Sequence, residues 1–157
     1  MKKIEKLDMA AEQLEDALKM YFEGRYHSAT VLGGAAEQLL AGYVMKHEMT
    51  PAYCRDRTTI TMIANGLEEH ARIVSGRTTE KKIGDKLNFA YNHSKHAGKN
   101  DHTVPIDSKF EARQIIDRTL SNYDALSGII EYDLPGLALA PSFYRELIKD
   151  GRFEENK

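Results

Sequence analysis

Apolar residues in this chain return every three or four positions over long stretches, a period that fits α-helices and little else. Over residues 2–22, Ile4, Leu7, Ala11, Leu14, Leu18 and Tyr21 make one stripe, while Lys2, Lys6, Glu12, Asp16 and Lys19 take the other side. Gly24 supplies a stop just beyond the last apolar residues. A second helix is expected from about Arg25 to His47, with Ala29, Leu32, Ala36, Leu39, Leu40, Tyr43 and Val44 as a broad apolar face. Gly33 and Gly34 stand in its middle, each costing about 1 kcal/mol relative to alanine in a helix. With Ala35 and Ala36 they leave a slim surface that suits close approach of another helix; a kink is the alternative.

Residues 49–57 read as a loop punctuated by Pro51, and a third helix over about 58–73 follows from Ile60, Ile63, Leu67 and Ile73, closed by Ser75-Gly76. The fourth starts near Thr79 and carries Ile83, Leu87, Ala90 and Ser94 at helical spacing into the run Tyr91-Asn92-His93-Ser94-Lys95-His96-Ala97-Gly98. A polar loop leads to Pro105. Ser108-x-x-Glu111 has the form of a capping box and opens a fifth helix with Ile116, Leu120, Tyr123, Leu126 and Ile130 on one face. Pro135-Gly136 breaks the chain before a short helix over about 142–149. No stretch alternates as a strand would. The expected fold is all-α: a bundle of four to five amphipathic helices plus a short C-terminal helix, one domain over residues 1–157 with 132–157 packing on it as an extension.

With 157 residues, 41% hydrophobic and 29% charged, the chain has enough apolar mass for a core. A net charge of -2 gives no general pull toward nucleic acid or anionic lipid. Cys54 is the single cysteine, so no internal disulfide forms, and a reducing cytoplasmic setting is expected. The first twenty residues hold Glu5, Asp8, Glu12, Glu15 and Asp16, unlike a signal peptide. The most apolar run, Ala29 to Val44, is short for a bilayer and contains Glu37 and Gln38, so no membrane role is expected.

One polar cluster invites a function. Asn88, Asn92, Lys95 and His96 fall at i, i+4, i+7 and i+8 and share one face if the fourth helix runs that far. That face lies roughly 180° from Ile83 on a helical wheel, with Phe89 about 60° from Asn92. Amides and an imidazole beside an aromatic ring suit a partner surface or a cleft. The plainer reading is that Asn92 and His96 end the helix and complement its negative pole.

The segment Tyr91-Asn92-His93-Ser94-Lys95-His96-Ala97, followed by Asn100-Asp101, resembles an Asn-x-x-Lys-His-Ala segment shared by a group of bacterial proteins. Tyr21-Phe22-Glu23-Gly24-Arg25-Tyr26 with Ala29, running on to Gly34-Ala35-Ala36-Glu37, is similar to theirs as well. More distantly the arrangement resembles HEPN domains, helical bundles that often dimerise. Their RNase members carry Arg, a polar residue and then His. Setting Asn92 and His96 on that pattern puts Tyr91 in the place of the Arg, which removes the charged fork that would hold a phosphate. The resemblance therefore implies a non-catalytic homodimer that binds RNA, a nucleotide or a protein, with Asn88, Asn92, Lys95 and His96 as a polar face at or near the dimer interface, where two copies of Asn92, Lys95 and His96 would converge. The alternative is a weak, metal-independent RNase in which His96 is general acid or base, Lys95 holds phosphate and Asn92 orients them.

Two other chemistries are open to the same region. His93, His96, Asp101 and His102 lie within ten residues and could ligate a metal, although histidines at a helix end more often cap it, and no cofactor is expected. Between Arg77 and His102 six basic residues (Arg77, Lys81, Lys82, Lys86, Lys95, Lys99) face three acids (Glu80, Asp85, Asp101), a local surplus that phosphate contacts could use. His27 and His70 stand alone and read as structural or surface residues. No phosphate loop, nucleophile elbow or zinc cysteine pair occurs, and Cys54 has no base beside it in sequence.

Overall fold

A computed structural model describes residues 5–70, 78–95, 103 and 105–152. In chain order these form α1 (Lys6–Phe22), α2 (Tyr26–Lys46), α3 (Ala52–His70), α4 (Glu80–Leu87), α5 (Phe89–Lys95), α6 (Ser108–Ser127) and α7 (Ala140–Leu147), the last running into a π-helical turn, Ile148–Arg152. The fold is all-α, and no strand occurs among the described residues. None of the described helices is long and apolar enough to cross a membrane.

α2 is the central element, packed between α1 and α6. Its glycines explain how. A methyl group on Gly33 would come within 2.9 Å of Ile115 Cγ2 of α6, and one on Gly34 would overlap the Tyr91 ring of α5. The pair therefore marks close approach on two sides of a helix that runs unbroken from Tyr26 to Lys46, and the kink is not adopted. Leu14, Leu18, Leu40, Ile116, Leu120 and Leu126 fill the space between the three helices.

α1 ends as expected. Gly24 takes φ +75°, and the amides of Arg25 and Gly24 donate back to Met20 O (2.8 Å) and Tyr21 O (3.0 Å), the Schellman arrangement that satisfies the last carbonyls. α2 ends the same way, with Met49 N–H to Val44 O and Glu48 N–H to Met45 O. Here the left-handed position is held by Glu48, φ +59°, at a steric cost of about 1 kcal/mol.

α3 departs from expectation at its start. The predicted loop 49–57 gives way to helix at Ala52, because Asn122 Oδ1, buried in α6, accepts the Ala52 N–H at 2.8 Å. Pro51 stands just before it, and its carbonyl accepts the first helical bonds, from Cys54 and Arg55, a place where proline costs nothing. A second feature concerns the stripe. The spacing of Ile60, Ile63 and Leu67 gives the helix, but the stripe faces outward: Ile63 is 57% exposed, Leu67 64% and the neighbouring Met62 70%. The inner side of α3 is polar instead: Arg57 pairs with Glu80 (3.0 Å), Asn65 donates to Thr78 O (3.1 Å) and Glu68 accepts from the Thr78 hydroxyl (2.8 Å). Ile73 lies outside the described residues.

The fourth predicted helix is two. Thr79 caps α4 through its hydroxyl, but at Asn88 (φ -107°, ψ 7°) the helix breaks. The Asn88 amide still donates to Gly84 O, and its carbonyl accepts from Asn92, so one residue closes α4 and opens α5, a placement that suits asparagine. The cap of α6 is also one residue earlier than predicted: Asp107, not Ser108, accepts the Phe110 amide (3.1 Å).

Beyond α6, Phe143 and Leu147 of α7 enter the core. Tyr21 meets Phe143 edge-on, centroids 5.3 Å apart, and donates its hydroxyl to Glu146 (2.8 Å). Tyr123 donates to the Pro135 carbonyl and Tyr132 to Asp8 (2.6 Å), tying the intervening chain to α1 and α6.

Candidate functional site

α5 sits against α2 because Ala90 and Tyr91 face inward, Tyr91 only 7% exposed, with its ring over Gly34. Tyr91 is thus a packed core side chain. Asn92, His93 and Ser94 are exposed on the other side, and Asn88 is half-buried at the α4–α5 junction. Lys95 closes α5. The Lys95 side chain, and His96, Asp101 and His102 entire (three of the four metal candidates), lie outside the described residues. Among the described residues no group of three or more metal-ligating side chains occurs.

His93 is held in a defined state. Its Nδ1–H donates to Phe89 O at 2.8 Å, since a carbonyl can only accept. The ring also lies over Phe89, centroids 4.0 Å apart at 35°. The proton on Nδ1 leaves Nε2 as the nitrogen free to meet another group. Ser94 donates back to Ala90 O (2.7 Å).

His93 and Ser94 border a cleft of about 910 Å³ between α5 and the start of α2. Met20, Val31, Leu32, Ala90 and Ile106 supply an apolar lining. Arg25 and His27 supply the other polar groups together with Ser28 and Thr103. Among the described residues no acid lines it. His27, which stands alone in the sequence and reads there as a structural or surface residue, is exposed and shares this cleft with His93. The pairing was not legible because the two lie 66 positions apart and meet only through the packing of α5 on α2. The available hint was local: α2 opens with basic Arg25 and no acid in its first turn.

A second polar feature escaped sequence reading. Arg118 of α6, 3% exposed, donates from Nε to Glu37 Oε1 (2.7 Å) and from a terminal nitrogen to Glu37 Oε2 (3.1 Å). The Tyr53 ring lies 5.6 Å from its guanidinium carbon. Burial works to lower the Arg118 pKa, but the hydrogen bond and charge of Glu37, with Asp56 and Tyr53, hold it above the ordinary value. The pair is a two-pronged clamp between α2 and α6. It does not border the cleft.

The exposed lysines Lys81, Lys82 and Lys86 lie on α4, so that part of the basic run is open to solvent, while Glu80 is engaged by Arg57. Arg77 and Lys99 are outside the described residues. Comparison with family models, with curated proteins and with solved structures finds no match to this chain.

Proposed function

We propose that this chain is a HEPN-like, non-catalytic binding domain that works as a homodimer, pairing through the outward face of α3. The observation that carries the reading is the inversion of that helix: hydrogen-bonding side chains turned inward, and Ile60, Met62, Ile63 and Leu67 turned out. Together these four expose apolar surface on the order of 400 Å² per copy, about half of what each partner of a stable pair contributes. The charges at the ends of α3 favour a second copy as the occupant. Arg55 near its start and Glu69 near its end are both exposed, at equal distance from Met62, and Arg55 would exchange its bond to Ser121 Oγ of α6 (2.6 Å) for the partner's carboxylate. An antiparallel pair centred on Met62 sets Arg55 of each copy beside Glu69 of the other. Gly66 on the same side has open space around it, which allows close approach.

Non-catalytic character is supported by Tyr91. A core phenol without charge cannot take the part of a phosphate-holding arginine. The binding partner of the dimer is RNA or a nucleotide, in keeping with the exposed lysines of α4, which follows α3 and packs on it.

Light scattering after size exclusion tests the reading. A dimer is expected for the natural chain and a monomer for Ile63→Asp, with unchanged helical circular dichroism. Arg55→Glu should weaken the pair, and Arg55→Glu with Glu69→Arg should restore it. A natural chain that stays monomeric at millimolar concentration removes the proposal. Incubation with mixed RNA should retard it without shortening it; shortening that His96→Ala abolishes would instead make the chain an RNase.

A further inference from the structure

The cleft between α5 and the start of α2 has a chemistry of its own. Its volume, about 910 Å³, lies in the range of small-molecule sites. Its wall is apolar over Met20, Val31, Leu32 and Ile106, and its polar side carries the Arg25 guanidinium, the imidazoles of His27 and His93, and the hydroxyls of Ser28, Ser94 and Thr103, with no carboxylate among the described lining residues. A body of hydrocarbon would be covered by the first set, and one negative head group would meet the second.

The cationic side is available. Arg25 has Glu23 at 3.8 Å, with both side chains well exposed, a distance and setting in which an ion pair contributes little. Arg25 can therefore turn to a better partner at small cost. His93 has its Nδ1–H committed to Phe89 O, so the neutral ring presents Nε2 to the cleft as an acceptor, and the pull on an anion comes from Arg25 and the start of α2. The first turn of α2 has no acid and no side-chain cap, which adds the positive pole of a helix of 21 residues to the same end of the cleft.

From this arrangement we propose that the cleft binds an amphipathic monocarboxylate, its carboxylate toward Arg25 and His27 and its chain along Met20, Val31 and Ile106. Few hydrogen-bonding groups line the apolar wall, so a base or sugar would leave its polar atoms unpaired there. The site lies within one copy of the chain and does not depend on the α3 pairing.

Octanoate and 1-octanol, titrated separately into the full-length protein and followed by methyl NMR, test the assignment. Octanoate should shift the Met20, Val31 and Ile106 methyl signals saturably, with octanol at least tenfold weaker. Arg25→Gln with His27→Gln should weaken octanoate by at least tenfold and leave octanol unaltered. Val31→Trp, at a surface-facing position of α2, should block both by filling the cleft. Ile63→Asp should leave octanoate binding intact, which separates this site from the dimer face. No saturable shift at millimolar octanoate, equal affinity for octanol, or shifts confined to Ile60, Met62 and Ile63 would each overturn the proposal.

Discussion

Replacing Gly34 by alanine tests the packing that sets α5, and with it the cleft, against α2. On helix propensity alone the change should stabilise the protein by up to about 1 kcal/mol. The structure predicts the opposite sign. A methyl at position 34 would overlap the body of the Tyr91 ring, not the tip of a flexible chain, and Tyr91 is buried. Overpacking of this kind costs about 1–3 kcal/mol, so the net effect should be a loss of about 1–2 kcal/mol, a fall in Tm of about 3–6 °C for a chain of this size. Gly42, in the same helix with nothing within 4 Å of an added methyl, provides the control: Gly42→Ala should gain what Gly34→Ala loses. Tyr91→Ala removes the obstacle. It should cost about 3 kcal/mol alone, but Gly34→Ala in that background should become neutral or favourable. The double-mutant cycle, read from urea unfolding by circular dichroism, should return a coupling of about 2–3 kcal/mol. A stabilising Gly34→Ala in the natural background, or a coupling near zero, would refute the placement of Tyr91 on α2.

Two further predictions rest on polar groups. Arg118→Ala strands the Glu37 carboxylate in the core and should destabilise by about 3–5 kcal/mol, whereas Glu37→Leu with Arg118→Met should cost far less; equal losses in urea unfolding would deny that the charges are buried as a pair. Stability should also fall from pH 10 upward. Burial, and then the hydrogen bond to Glu146, raise the Tyr21 pKa, and burial with the Asp124 bond raises that of Tyr144; Tyr132 is pushed up to about 12 by its bond to Asp8. A folded-state pKa raised above the unfolded value means that only the unfolded chain ionises just above pH 10, so the urea midpoint should drop there and Tyr21→Phe should flatten the drop. A midpoint constant from pH 9 to pH 11.5 would contradict this.

What the sequence made legible was whatever depends on neighbours along the chain. The stripes of α1 and α2, the Gly24 stop and the slim Gly33-Gly34 surface follow from period and backbone sterics, and the structure places them as expected. What depends on distant partners was not legible. Helix α3 starts at Ala52 because an amide 70 positions away accepts its first N–H, and Glu37 finds Arg118 across 81 positions. Gly84 likewise lies so close to Tyr53, 31 positions away, that a methyl would come within 2.6 Å of the phenol oxygen. The half of the cleft at the start of α2 was missed for the same reason: nothing local to Arg25 and His27 says that α5 will pack beside them.

The stripe of α3 adds a different lesson. Its spacing gives a helix and leaves its direction open, because a period of 3.6 residues records that a face is apolar and not which surface will cover it. Within one chain the polar side of α3 has the stronger claim on the interior. Arg57, Asn65 and Glu68 each find a partner there in the stretch from Thr78 to Glu80. Turning the helix to bury Ile63 and Leu67 would break those contacts and leave the groups of Thr78 and Glu80 that α3 now holds without their partners. The apolar side is then free to be covered from outside, where burying it on a second copy releases on the order of 10 kcal/mol per copy before the costs of association. A helix that is polar inward and apolar outward is thus consistent with the ordinary balance of burial and hydrogen bonding, provided that balance is struck over two chains.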